Sequence, residues 1–155
     1  MSDLENLYQQ VILDHAREKH GYGLDTHPAS LSHQINPTCG DEITLAITTD
    51  HDGTITRITW EGQGCSISTA SASLLSDLVE NVPTHERDYL GHQIAAFREL
   101  LHSKGSMTGD EELLGDAIAL GGVSRYITRV KCAMLAWVAL EDALIQLDSP
   151  TDESS

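Results

Sequence analysis

Asn36-Pro37-Thr38-Cys39-Gly40-Asp41 carries a thiol and, two residues on, a carboxylate. Pro37 fixes its own φ and pushes Asn36 toward an extended conformation, while Gly40 can take backbone angles closed to other residues. The segment therefore reads as a stiff, bent loop that presents both groups together. Thiolates with one oxygen ligand make a zinc or iron corner, and two ligands do not complete a site. The remaining ligands must come from elsewhere in the chain.

Downstream, Glu42 to Thr49 alternates, with Ile43, Leu45 and Ile47 on one face, and reads as a strand. Asp50-His51-Asp52-Gly53 is a turn, and Thr54 to Glu61 returns with Ile55, Ile58 and Trp60. Their spacing slips by one residue after Ile55, which predicts a bulge in an antiparallel hairpin. Upstream, His20 to Gln34 contains Gly21, Gly23 and Pro28, has no periodicity and reads as a loop. Asp3 to Glu18 reads as an amphipathic helix with Ser2 as N-cap and with Leu4, Leu7, Tyr8, Val11, Ile12 and His15 on one face.

Beyond the hairpin, helical spacing predicts helices over Ser66 to Glu80, Thr84 to His102, Asp110 to Leu120 and Ser124 to Leu147. Gly121-Gly122 closes the third of these. Grouped strands followed by grouped helices indicate an α+β fold with a small antiparallel sheet. With no internal repeat and no linker, residues 1–147 read as one domain and 148–155 as an acidic disordered tail.

The 155 residues carry 9 Lys and Arg against 24 Asp and Glu, a formal charge of −15. That field repels phosphate backbones and speaks against nucleic-acid binding, while a basic protein partner or a cation is compatible with it. No apolar run approaches the roughly 20 residues that cross a bilayer, so no membrane partner is expected. The acidic N-terminus lacks the pattern of a signal peptide, which makes the cytoplasm the expected location. Three cysteines cannot all pair, and in that compartment buried, metal-binding or catalytic roles are expected.

Cys65 follows Gly62-Gln63-Gly64 and precedes a helix, whose N-terminus favours a thiolate; the plainer reading is a small buried residue at a corner. On the last helix Ile127, Val130, Met134, Trp137, Val138 and Ile145 form one stripe, and Cys132 falls roughly opposite, beside Arg125, Arg129, Ala136 and Ala139. A cysteine that only filled the core would be expected on the stripe, although Leu135 and Leu140 flank the second face and leave it open to cover by other elements. Arg129, one turn before Cys132, can stabilise a thiolate or pair with Asp41 when no metal is bound; otherwise it is an ordinary surface arginine. The eight histidines lack the paired spacing of a zinc-binding helix, so none is assigned as a ligand, and His15 reads as a satisfied core histidine beneath the sheet. Three thiols and Asp41 make four ligands, the number a tetrahedral zinc ion takes.

These motifs resemble a known family. Asn36-Pro37-Thr38-Cys39-Gly40-Asp41, Gly62-Gln63-Gly64-Cys65-Ser66-Ile67-Ser68 with Ala70-Ser71-Ala72-Ser73, and Arg129-Val130-Lys131-Cys132-Ala133 are similar to the three cysteine motifs of the IscU and NifU N-terminal superfamily. Within it the likeness is to SufU-type proteins: Leu113 to Val123 is similar to the insertion they carry, and Lys131 stands where the IscU branch has a histidine. The resemblance implies about three strands packed against about five helices. It also implies a Zn2+ ion held by Cys39, Asp41, Cys65 and Cys132, and a SufS-type cysteine desulfurase, a PLP enzyme, as partner beside other Suf proteins. The implied activity is zinc-dependent sulfur transfer, in which ligand exchange frees Cys39 to accept persulfide sulfur while Arg129 steadies the site. Two alternatives use the same residues: a scaffold on which iron or a transient [2Fe–2S] cluster is assembled, and a structural zinc module that docks on a partner. The chain departs from the family in lacking a proline near Ile127 and an Asn-Pro signature after the first helix.

Overall fold

A computed structural model describes residues 3–37, 40–81, 87–106 and 109–148. Helix α1 (Asp3–Glu18) leads through a loop into strands β1 (Ser30–Asn36), β2 (Asp41–Thr49) and β3 (Ile55–Gln63). Helices α2 (Ser66–Asn81), α3 (Arg87–Leu101), the short α4 (Glu111–Leu114), a succession of 3₁₀ turns over Gly115–Arg125 and helix α5 (Ile127–Asp148) follow. The strands form an antiparallel sheet in chain order. The α+β class, the three strands and the five helices are as expected, counted among the described residues.

The bulge expected in the β2–β3 hairpin is present: Thr48 pairs with Arg57 and Thr49 with Ile55, so Thr56 has no opposite residue. Strand β1 departs from expectation, since most of it falls within the segment read as a loop. Its inward residues are small and polar, and its apolar residues point out. Ser30 and Ser32 are buried, while Leu31 and Ile35 are exposed. The Ser30 hydroxyl donates to the Ala143 carbonyl at 2.7 Å and the Ser32 hydroxyl to the Asp142 carboxylate at 2.7 Å, both on α5. Hydrogen bonds to the covering helix replace the apolar contacts that a strand pattern looks for.

Helix α5 also differs. The expected stripe is buried only at its centre, through Val130, Met134 and Trp137, while Ile127 and Ile145 at its ends are exposed. The opposite face is covered too: Cys132, Ala136, Ala139 and Ala143 are all buried. The helix runs against β1, β2, α2 and α3, so it is the central element of the core rather than one with a solvent face. Small residues allow that close approach. Ser71 of α2 is fully buried and donates to the Ala133 carbonyl at 2.6 Å, and its oxygen accepts from the Trp137 indole at 2.9 Å. Trp137 stacks on Phe97 of α3 with centroids 4.0 Å apart.

On α1, Tyr8, Val11 and Ile12 meet the core and His15 is buried, as its periodicity predicts; the side chains of Leu4 and Leu7 and the proposed cap at Ser2 lie outside the described residues. His15 faces α2, however, not the underside of the sheet. The expected short helix over 110–120 is a helix only to Leu114. Asp110 caps it by accepting from the Glu112 amide at 3.0 Å, and the glycine-rich 3₁₀ turns follow. Asp148, expected to open the tail, ends α5, and residues 149–155 lie outside the described residues. No described helix is long and apolar enough to cross a membrane.

Ser71→Ala would strip the buried Trp137 N–H of its acceptor, and an unsatisfied buried donor costs about 1–3 kcal/mol. The variant is therefore expected to unfold at lower denaturant with an unchanged slope; an unchanged midpoint would remove Ser71 from the account of how α2 holds α5.

Candidate metal centre

The turn from β1 to β2 closes with the Gly40 amide donating to the Asn36 carbonyl at 2.7 Å, and Gly40 has φ of +79°, a region that suits glycine. Asp41 is the next residue and begins β2. Antiparallel pairing sets Glu42 opposite Gln63, which brings the start of β2 to the end of β3 and so to Gly64 and Cys65. Cys65 lies immediately before α2, half-buried, as the sequence predicts. Its Sγ is 3.5 Å from Asp41 Oδ2 and 3.8 Å from Ser68 Oγ. The Ser68 hydroxyl also donates to the Cys65 carbonyl at 3.1 Å, tying the first turn of α2 to the site.

Cys132 arrives from α5, buried, with its Sγ 3.8 Å from the Thr128 carbonyl. One ligand atom from each of Asp41, Cys65 and Cys132 lies within 4.8 Å of the others. Three segments far apart in sequence thus converge. Cys39 lies outside the described residues, in the covalent link between Asn36 and Asp41. Arg129 is exposed on α5 and makes no ion pair with Asp41, and Lys131 is exposed.

The donor set fits a soft or borderline divalent ion. Tetrahedral zinc with Zn–S of about 2.3 Å and Zn–O of about 2.1 Å sets an S···O edge of about 3.6 Å. The observed Cys65–Asp41 separation of 3.5 Å needs almost no adjustment. Gly64 is part of the cradle: a Cβ there would lie 2.2 Å from Ser68 Oγ and 3.1 Å from Asp41 Cγ.

A small α+β fold that gathers two thiols and a carboxylate at the joint of sheet and helices defines a class of protein with a candidate metal centre. The NifU-like N terminal domain matches residues 7–133, and the chain belongs to that family. It is similar to the iron–sulfur cluster assembly scaffold protein IscU of Streptococcus pyogenes serotype M1, at 38% identity over 93% of this chain and 86% of that one. It is also similar to the zinc-dependent sulfurtransferase SufU of Bacillus subtilis, at 36% identity over 90% of each chain. A solved structure from Fervidobacterium islandicum, described as a candidate assembly scaffold protein for the SUF system, superposes with a TM-score of 0.74 at 29% identity, over 87% of this chain and 94% of that one. The N-terminal NifU-like protein of Brucella abortus shares the fold, with a TM-score of 0.80 at 22% identity, over 97% and 100% of the two chains.

A second cluster was not foreseen from the sequence. His15, His20 and Asp77 also bring ligand atoms within 4.8 Å of one another. His15 and His20 are five residues apart, and Lys19 between them takes φ of 52°, so no helical face relates them. The sign in the sequence is the isolated Asp77 on the otherwise uncharged run from Ser66 to Val79.

Gly64→Ala is expected to displace the Asp41 carboxylate and the Ser68 hydroxyl and to weaken metal binding about 10–100-fold, the scale of losses when the surroundings of ligands are disturbed. Competition with a chromophoric chelator measures this. Native affinity in the variant would show that Gly64 has no part in shaping the site.

Proposed function

We propose that the chain is a zinc-dependent sulfur acceptor in iron–sulfur cluster assembly, with Cys39, Asp41, Cys65 and Cys132 as the metal ligands and Cys39 as the thiol that receives sulfur. The observation that carries this reading is the convergence of Asp41, Cys65 and Cys132 beside the loop on which Cys39 is carried. Zn2+ bound by these residues supplies the Lewis acidity that keeps the thiols ionised at neutral pH. Asp41 is the hard ligand of the set, buried and held at the start of β2, and it orients the centre against the first turn of α2.

The donor is a persulfide on the cysteine of a SufS-type desulfurase, with other Suf proteins downstream, in the cytoplasm. The Cys39 thiolate attacks the terminal sulfur of that persulfide. A new S–S bond forms on Cys39, the donor's S–S bond breaks, and the donor cysteine leaves as a thiolate. Arg129 is exposed near the start of α5, and this reading assigns its guanidinium to the thiolate that has left the ligand set. Residues 1–147 act together as one domain in this reading.

The scaffold reading is the second, and the assembly-scaffold name of the Streptococcus pyogenes relative favours it. Both readings use the same ligands, so metal content separates them. Stoichiometric zinc without a visible chromophore supports sulfur transfer, whereas iron and acid-labile sulfide would support the scaffold.

Cys39→Ala is expected to abolish stimulation of desulfurase turnover while the fold is kept, and an undiminished rate would reject Cys39 as the acceptor. Arg129→Ala is expected to slow sulfur uptake, read by intact mass, with zinc content unchanged. If no cysteine gains 32 Da, about the mass of one sulfur atom, after incubation with desulfurase and cysteine, the centre is structural.

A further inference from the structure

We propose that His15, His20 and Asp77 form a second metal site, taking a divalent first-row transition ion of the Zn2+ or Fe2+ kind. The site shares no residue with the thiol centre and stands independently of the sulfur-transfer reading.

His20 Nδ1 lies 2.7 Å and His15 Nε2 4.0 Å from Asp77 Oδ2. A tetrahedral ion with bonds of about 2.0–2.1 Å sets ligand edges of about 3.4 Å, between these two values. Metal binding would lengthen the first contact and shorten the second toward that edge. Each imidazole turns one nitrogen toward Asp77, and its other nitrogen is already held. His15 Nδ1 meets the Ser73 hydroxyl at 2.8 Å, and His20 Nε2 meets the Glu18 carboxylate at 2.9 Å. That outer arrangement orients imidazole ligands in metal sites, with a carboxylate behind one of them.

The backbone of His20 is fixed as well. Its amide donates to Ser73 Oγ at 2.9 Å, and its carbonyl accepts from the Trp60 indole at 2.8 Å. On either side, the Trp60 amide donates to the Gly21 carbonyl at 3.0 Å and the Gly23 amide to the Trp60 carbonyl at 2.8 Å. A Cβ at Gly21 would lie 2.1 Å from Ser76 Oγ, so this loop sits directly on α2. A histidine on a loop is thus held as firmly as one on a helix, which is what a ligand requires.

Access and charge agree with a cation. The His15 side chain is 10% exposed, whereas His20 and Asp77 are 38% and 37% exposed, which leaves a wet side for water as a further ligand. Glu18 adds negative charge, and Asp116 contributes from the 3₁₀ turns. The nearby Lys19 ammonium sits over the Tyr22 ring at 5.3 Å. Two imidazoles and one carboxylate suit zinc, ferrous iron or cobalt, not the all-oxygen preference of calcium or magnesium.

Without metal, His20 lies between two carboxylates. The hydrogen bond to Asp77 holds its pKa above the ordinary histidine value, while burial pushes His15 below it. Coordination through His20 Nδ1 would replace its hydrogen bond to Asp77 by a metal–nitrogen bond.

The test is a Co2+ titration of the full chain, stripped of metal under reducing conditions. Thiolate-bound cobalt shows strong near-ultraviolet charge-transfer absorption, and a nitrogen and oxygen site shows only weak visible bands. Two tight equivalents are expected, the second lacking the charge-transfer band and resistant to excess Mg2+. His20→Ala and Asp77→Asn should each abolish that second equivalent and leave the first, and Glu18→Gln should weaken it about 10–100-fold. A native protein that takes no cobalt beyond the thiol-bound equivalent overturns the site and leaves a hydrogen-bonded clamp. A second equivalent that survives in both ligand variants also overturns it, as diffuse binding to an acidic surface. Loss of the thiol-bound equivalent with the second retained would count against the sulfur-transfer reading alone.

Discussion

The centre depends on the register between β2 and β3. With Glu42 opposite Gln63, Asp41 stands beside the glycine turn that delivers Cys65, and Cys65 Sγ comes within 3.5 Å of its carboxylate. Side chains alternate faces along a strand, so a slip of one residue would send Asp41 and every core residue of β2 to the wrong side. The bulge at Thr56 absorbs the mismatch near the hairpin turn, far from the end that carries Asp41. The core residues Leu45, Ile47, Ile55 and Ile58, all fully buried, therefore hold the register that sets Asp41 beside Cys65.

Helix α5 supplies the other half. A cysteine on a surface helix would need to reach across water to join the set. Here α5 is enclosed, and Cys132 is brought to the joint where sheet and α2 meet. Enclosing a helix on most sides requires close neighbours, and serines provide them at little volume. Ser71 serves both the Ala133 carbonyl and the Trp137 indole, and Ser30 reaches the Ala143 carbonyl from β1. Each hydroxyl is satisfied by a backbone or indole group, so the polar atoms do not count against burial.

Two of the candidate thiol-centre segments were readable because they sit in short motifs with their own local cause: a proline- and glycine-bent loop, and a glycine turn before a helix. The histidine cluster was not. His15 carried a helical signal, but His20 follows a left-handed turn at Lys19, and no period links either to Asp77 on α2. Strand β1 was hidden for a related reason. Its buried side chains are serines that bond to α5, so its apolar residues, Leu31 and Ile35, mark the exposed face instead.

From the amino-acid order alone came the α+β class, the hairpin with its bulge, the placement of Cys65 before a helix, and the family. The first three follow from local preference and periodicity, which act over a few residues, and the family from the likeness of the three cysteine motifs to known ones. The fold itself decided that Asp41, Cys65 and Cys132 meet, that α5 is central, and that His15, His20 and Asp77 share a corner. Such meetings depend on contacts between segments tens of residues apart, and local spacing carries no record of them.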